Sequence, residues 1–143
     1  MNFKDKVVVL TGGAKGIGKC IKEMFEKQGA HVCIIDILEN DYFIGNVGNK
    51  EDLIAFTNKI ISDYGRVDYI INNAKPLFKG IDECSYEEFN EALQVGITGA
   101  FMITKLLKDH LNQNACIINI SSVWGDAGAS CEVAYSATKG AVN

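Results

Sequence analysis

An α/β fold, with a mostly parallel sheet and helices on both faces, is what this sequence predicts, and three observations carry the prediction. Short apolar runs alternate with stretches whose apolar positions recur at helical spacing, the pattern of βαβ units. The first such run, residues 7–10, is apolar without interruption, as a strand covered on both faces requires. A glycine-rich turn, Thr11-Gly12-Gly13-Ala14-Lys15-Gly16-Ile17-Gly18, joins that run to the first helical pattern.

The elements follow in order. From Ile17 the apolar positions are 17, 20, 21, 24 and 25, one stripe of an amphipathic helix that Gly29 ends. Residues 32–35 form a second strand, finished by Asp36. Residues 42–45 form a short third strand, reached by fewer residues than the dozen or so that a parallel crossover usually takes. Leu53, Phe56, Ile60 and Tyr64 mark a helix over 50–64, ended by Gly65. Residues 67–71 read as a strand, followed by a loop with the only proline, Pro76. Ser85 and Glu88 form a capping box that opens a long helix, expected to reach about Leu111. Residues 116–120 are the next strand, and a last helix starts near Val133. No repeat, low-complexity tract or linker interrupts the chain, so residues 1–143 are expected to form one domain.

Composition limits the function. At 48% apolar and 22% charged residues the chain suits a packed globular domain rather than a disordered one. The net charge is −4 and no block of Lys or Arg could track phosphates, so nucleic acid is not an expected partner. The longest apolar stretches fall far short of the ~20 residues that cross a bilayer. The opening Met1-Asn2-Phe3-Lys4-Asp5-Lys6 leads straight into a strand pattern, with no signal-peptide core. Cys20, Cys33, Cys84, Cys116 and Cys131 are odd in number and widely spaced, and no C-x-x-C occurs. Neither a disulfide framework nor a metal site is expected; most of the cysteines fall in apolar runs and read as small buried hydrophobes in a cytoplasmic chain.

A turn from a buried strand into a helix aims unpaired amides and the helix dipole at an anion. Gly12, Gly16 and Gly18 would let backbone approach a pyrophosphate where a Cβ would collide. Asp36 stands where an acid can hydrogen-bond an adenosine ribose. Its charge repels a 2′-phosphate and favours NAD over NADP, whereas Lys15 pulls the other way. Residues 13–20, Gly-Ala-Lys-Gly-Ile-Gly-Lys-Cys, also approach the phosphate-loop pattern of nucleotide hydrolases. There Cys20 replaces the hydroxyl that should meet Mg²⁺, and a thiol is a poor ligand for that ion. From this turn alone, the hydrolase and dehydrogenase readings both stay open.

The residues further along separate them. Tyr135 and Lys139 lie one helical turn apart, so an ammonium neighbours the phenol. A free phenol has a pKa near ~10 and is a poor base at neutral pH, but a nearby positive charge favours its ionised form. Tyr135 could then take a proton from an alcohol as hydride leaves, or return it to a ketone. Ser122, just past the 116–120 strand, could hydrogen-bond the same substrate oxygen.

Taken in order, Thr11 to Gly18, Asp36, Asn72-Asn73-Ala74, Ile120-Ser121-Ser122 and Tyr135-Ser136-Ala137-Thr138-Lys139 resemble the short-chain dehydrogenase/reductase family, in its classical subtype with the T-G-x-x-x-G-x-G turn. The resemblance spans nearly the whole chain. It implies a doubly wound, Rossmann-like sheet, an NAD(P) cofactor, and oxidoreductase chemistry on a secondary alcohol or ketone by Ser122, Tyr135 and Lys139. It implies that Gly12, Lys15, Gly16, Ile17 and Gly18 border the cofactor, with Asp36, Asn46 and Val47 toward the adenosine and Asn73 and Ala74 at the strand-four end. Tyr135 and Lys139 would reach the nicotinamide ribose, and a homo-oligomer is expected.

Four positions depart from the family pattern. Asn46 stands for Asp, Lys75 for Gly, and Gly96 for the Asn that holds a water of the proton relay. Family members also continue past the position of Asn143 with the last strands of the sheet. The chain is therefore expected to be C-terminally truncated or a fragment, with its fifth strand an exposed edge prone to association. The alternative to an active enzyme is a catalytically impaired NAD-binding remnant or an interaction module.

Overall fold

Five strands lie side by side in the order β3-β2-β1-β4-β5, every neighbouring pair parallel. They are β1 (Val7–Thr11), β2 (His31–Asp36), β3 (Phe43–Ile44), β4 (Val67–Asn72) and β5 (Leu111–Asn119). The computed structural model describes residues 3–76 and 78–143. Met1 and Asn2, the start of the opening segment read above, and Leu77, in the segment the sequence reads as a loop, lie outside the described residues. The strand order reverses beside β1, which opens a crevice at the carboxyl ends of β1 and β4.

Strand β1 is covered on both faces, as its unbroken apolar run predicts. Val7 and Val9 join one core cluster with Cys33, Ile35, Phe56, Ile60 and Ile103. Val8 and Leu10 join another with Val32, Ile34 and Ile71, against which Ile21 and Phe25 pack. The first cluster is roofed by α2 (Lys50–Tyr64) and α4 (Gly99–Leu107), the second by α1 (Gly16–Lys27). Each fully buried Val, Leu, Ile or Phe is worth roughly 1.5–3 kcal/mol, so this two-sided core is the main source of stability.

The short crossover to β3 has a simple cause. Phe43 and Ile44 pair only with Ile35 and Asp36, the last residues of β2, so the chain never returns to the far end of the sheet. Asn40 organises the turn: its amide nitrogen donates to the carbonyls of Leu38 and Phe43, and its Oδ1 accepts from the amides of Tyr42 and Phe43.

The expected long helix is not one helix. Ser85 and Glu88 do form the capping box, and α3 (Tyr86–Leu93) follows. A single π-helical turn, Gln94–Thr98, then leads into α4, and a 3₁₀ turn, Lys108–His110, ends it. Two glycines explain the break. A Cβ on Gly96 would come within 2.7 Å of the Thr138 Cβ, and one on Gly99 within 2.4 Å of the Val47 Cγ1. The backbone is pressed onto both neighbours, and the widened turn accommodates it. Leu111, expected at the helix end, instead pairs with Val67 and begins β5. The register then slips before Tyr69 meets Cys116, which takes up the polar residues Asn112, Gln113 and Asn114. A short helix, α5 (Trp124–Ala127), precedes α6 (Val133–Val142).

The cysteines also correct the sequence reading. Only Cys33 is buried, and burial pushes its thiol up to about 12. Cys20, Cys116 and Cys131 are exposed and Cys84 is partly so, because Cys20 sits on the outer side of α1 and Cys116 on β5. Strand β5 has one strand neighbour, and Ile117 and Ile118 on it are 40% and 38% exposed. Among the described residues, no helix is long and apolar enough to cross a membrane.

One buried acid was invisible in the sequence. Asp68, 4% exposed, accepts from the Val7 amide (2.9 Å), the Lys6 ammonium (3.0 Å) and the Asn112 side chain (2.8 Å). Burial opposes its ionisation, but the Val7 amide, Asn112 and Lys6 together outweigh burial and hold the carboxyl below its usual range. A depressed folded-state pKa adds stability above the unfolded value, about 3.9, and that stability is lost as pH falls through the folded value. Asp68→Asn is therefore expected to lower the melting temperature at pH 7 and to flatten its decline below about pH 4. Parallel melting curves for both proteins from pH 7 to pH 3 would contradict this.

Candidate active site

The floor of the crevice is built where β1 and β4 end. Thr11 is a buried polar residue at the close of an apolar strand, so its hydroxyl needs partners. It accepts from the amides of Asn73 (3.0 Å) and Ala74 (2.9 Å). Asn73 answers through its side chain, whose nitrogen donates to the carbonyls of Thr11 (3.1 Å) and Gly12 (3.0 Å).

On this floor the glycine turn approaches itself. Gly12 has φ +70° and Gly16 φ +57°, both in the left-handed region. A Cβ on Gly18 would lie 1.9 Å from the Gly12 carbonyl oxygen, so only glycine closes the turn in this form. The first turn of α1 has no side-chain cap, since Lys15 at the cap position makes no such bond. Its amides stay available to an anion. Asp36 is fixed at the rim: one carboxylate oxygen accepts from the Ala14 amide and the other from the Leu38 amide, each at 3.0 Å.

A cleft of about 680 Å³ runs from this rim across the turn. Gly12, Lys15, Gly16, Ile17, Gly18, Asp36, Asn46, Val47, Asn73 and Ala74, which the sequence places around a cofactor, line it, whereas Tyr135 and Lys139, also expected at the cofactor, do not. Ile37, Leu38 and Pro76 line it too and were missed, because nothing in their spacing distinguishes them from ordinary loop residues; Lys75, singled out in the sequence where the family has Gly, lines it as well. Asn46 is turned to local use, accepting from the Gly48 amide while its own amide donates to Asp52.

The three residues expected to act chemically come together less completely. Lys139 is buried, and its ammonium donates to the Ile120 carbonyl while lying 5.5 Å from the centroid of the Tyr135 ring. Burial holds this lysine below its usual range. Phe78 meets Tyr135 edge-on at 4.7 Å between centroids. Ser122 accepts from the Trp124 amide at 3.3 Å, and neighbouring Ser121 turns to the Lys139 carbonyl and to Asn143. Helix α6 thus carries Tyr135 and Lys139 to the end of β5, with Ser122 occupied by its own turn.

Beside Lys139 lies a second cavity of about 20 Å³, lined by Asn72, Gly96, Asn119 and Ile120 among others, the size of a single water. The Asn72 Oδ1 is buried without a hydrogen-bond partner among the described residues. Gly96 lines this cavity while pressed against Thr138, so an Asn side chain could not replace it without moving α6.

The family model described as short chain dehydrogenase matches residues 6–143. The chain belongs to the short-chain dehydrogenase family. It is similar to the L-fucose dehydrogenase of Bos taurus, with 36% identity over 155 residues that cover 98% of this chain and 57% of that protein. Among solved structures it is similar to the ligand-free aldohexose dehydrogenase of Thermoplasma acidophilum, with TM-score 0.89 and 28% identity, covering 98% of this chain and 58% of that one. It is likewise similar to the 3-ketoacyl-(acyl-carrier-protein) reductase of Brucella melitensis complexed with NADH, with TM-score 0.88 and 26% identity, covering 98% and 66%. This short-chain dehydrogenase chain therefore spans little more than half the length of the curated relative it matches. Its doubly wound sheet is the one the glycine turn and the apolar runs predict.

Proposed function

We propose that this protein is an NAD-dependent oxidoreductase that moves hydride between nicotinamide and a secondary alcohol or ketone, with Tyr135 as the acid/base. One observation carries the reading: a single cleft is lined by the uncapped start of α1, by Asp36 and by the β4 end, and α6 holds the Tyr135–Lys139 pair at the neighbouring end of β5. The residues present suit a dinucleotide. The α1 amides would face a pyrophosphate, space lies open beside Gly16, and Asp36 at the rim would face a ribose. Nicotinamide bound there would accept or return the hydride.

The chain's own residues handle the proton. Tyr135 takes it from the substrate hydroxyl during oxidation and returns it to the carbonyl oxygen during reduction. Lys139 sets a positive charge 5.5 Å from the centre of the Tyr135 ring, and its bond to the Ile120 carbonyl fixes where that charge sits. Ser122 steadies the substrate oxygen with its O–H, which stays free to donate while the oxygen accepts from the Trp124 amide. The substrate is a small molecule, and the acting species is a homo-oligomer. The direct test is substrate-dependent change in NADH absorbance over a panel of secondary alcohols and ketones, sugars included.

The fixed carboxylate of Asp36 favours NAD, since a 2′-phosphate there would meet a like charge. Asp36→Ser is expected to shift relative affinity toward NADPH by roughly tenfold or more. Competitive titration of both cofactors measures this, and an unchanged preference would refute the assignment.

A second reading has its own support. The cleft over the glycine turn is open, whereas no hydrogen bond joins Ser122 to Tyr135 among the described residues. A protein that binds NAD without turnover fits those facts, and NADH binding with no reaction across the panel would favour it.

A further inference from the structure

Lys75 follows Ala74 at the end of β4 and lines the same cleft as the glycine turn. Its ammonium lies 4.1 Å from the centroid of the Phe78 ring, and that ring meets Tyr135 at 4.7 Å. An aromatic face attracts a cation through its quadrupole, so the ammonium is held one ring away from the phenol. Glu88 and Glu91 line the cleft as well; Glu88 is paired with Lys79, which leaves Glu91 as the opposing charge.

The inference rests on the function proposed above. If hydride passes to or from a carbon whose oxygen meets Tyr135, the nicotinamide ring must lie within a few ångströms of that phenol. The Lys75 ammonium then neighbours the one part of the cofactor whose charge changes in the reaction. Oxidised nicotinamide is a cation and its reduced form is neutral. We propose that Lys75 selectively destabilises the oxidised ring, so that the protein holds NADH more tightly than it otherwise would relative to NAD⁺. By the thermodynamic cycle, the bound couple becomes a stronger hydride acceptor by the same factor. Lys75 is a tuning residue for the cofactor, distinct from the proton-handling pair.

The experiment uses the 143-residue protein and three nucleotides. NADH affinity is read by fluorescence titration, and NAD⁺ and ADP-ribose are read by competition against it, for wild type, Lys75→Gln and Lys75→Arg. A unit charge at this range and exposure gives a roughly threefold to tenfold effect. Lys75→Gln should lower the ratio of NAD⁺ to NADH dissociation constants by that factor, Lys75→Arg should retain the wild-type ratio, and about 0.5 M salt should shrink the difference. ADP-ribose, which lacks nicotinamide, should bind all three proteins equally. An unchanged ratio in Lys75→Gln at low salt overturns the inference. Equal weakening of all three nucleotides also overturns it, because Lys75 would then be a phosphate ligand. Wild type that fails to bind ADP-ribose refutes the cofactor reading itself, whereas normal ADP-ribose binding with a flat ratio refutes only the role of Lys75.

Discussion

Tyr135→Phe is expected to lower NADH-linked turnover by about 10²- to 10⁴-fold while leaving NADH affinity within about twofold. The substitution removes one hydroxyl and keeps the ring, so the edge-on contact with Phe78 and the Lys139 ammonium beside the ring both persist. Only the group that exchanges a proton with substrate is lost. This separates a chemical role from a structural one, since a packing role for the ring would survive the change. Melting curves of the two proteins should superimpose. A variant that keeps more than about a tenth of wild-type turnover would remove Tyr135 from the proton step.

The second large effect is expected at Gly18. In Gly18→Ala the new methyl would stand 1.9 Å from the Gly12 carbonyl oxygen and 2.7 Å from the Asn73 side-chain nitrogen. Neither neighbour is a flexible side-chain tip: one is backbone, and the other is tied to the Thr11 and Gly12 carbonyls. The turn must open, and overpacking of this kind costs about 1–3 kcal/mol or more. We expect a melting temperature several degrees lower and NADH binding weakened at least about tenfold, because the α1 amides move with the turn. Gly128→Ala is the control. Gly128, unlike Gly18, has positive φ, +71°, and its Cβ would meet nothing within 4 Å, so it reports backbone strain without collision, where Gly18 reports collision without such strain. Calorimetry and NADH titration on both variants decide the matter; equal NADH affinity in wild type and Gly18→Ala would show that the close turn does not shape the nucleotide site.

Where the sequence was legible, a local residue marked the boundary. Helix α2 runs over the residues read from its apolar spacing because Asn49 caps its start through the Asp52 amide and Gly65 ends it with φ +68°. The glycine turn beneath the cleft was legible for a similar reason, as the glycines that shape it are themselves the signal. The helix after Ser85 was misread because its glycines answer to Val47 and Thr138, partners distant along the chain. Leu106, Leu107 and Leu111 continue a helical rhythm, yet only the pairing of Leu111 with Val67 decides that the last belongs to a strand. Asp68 was missed because an acid within a strand gains meaning only from what surrounds it. The chemical residues fall between these cases. Tyr135 and Lys139 sit on one helix, so their proximity follows from their spacing, whereas the Trp124 amide at Ser122 depends on a short helix that no spacing announced.

The paired ends of β1 and β4 have a consequence for how a nucleotide would be received. The Thr11 hydroxyl and the Asn73 amide knit the two strand tips together with bonds internal to the protein, so the seat of the crevice is already rigid when empty. Docking would then demand little ordering of the main chain, and a nucleotide would meet a template rather than induce one. Amide hydrogen exchange at Asn73 and Ala74 should accordingly be slow with or without NADH, leaving any ligand-dependent protection to the walls of the cleft.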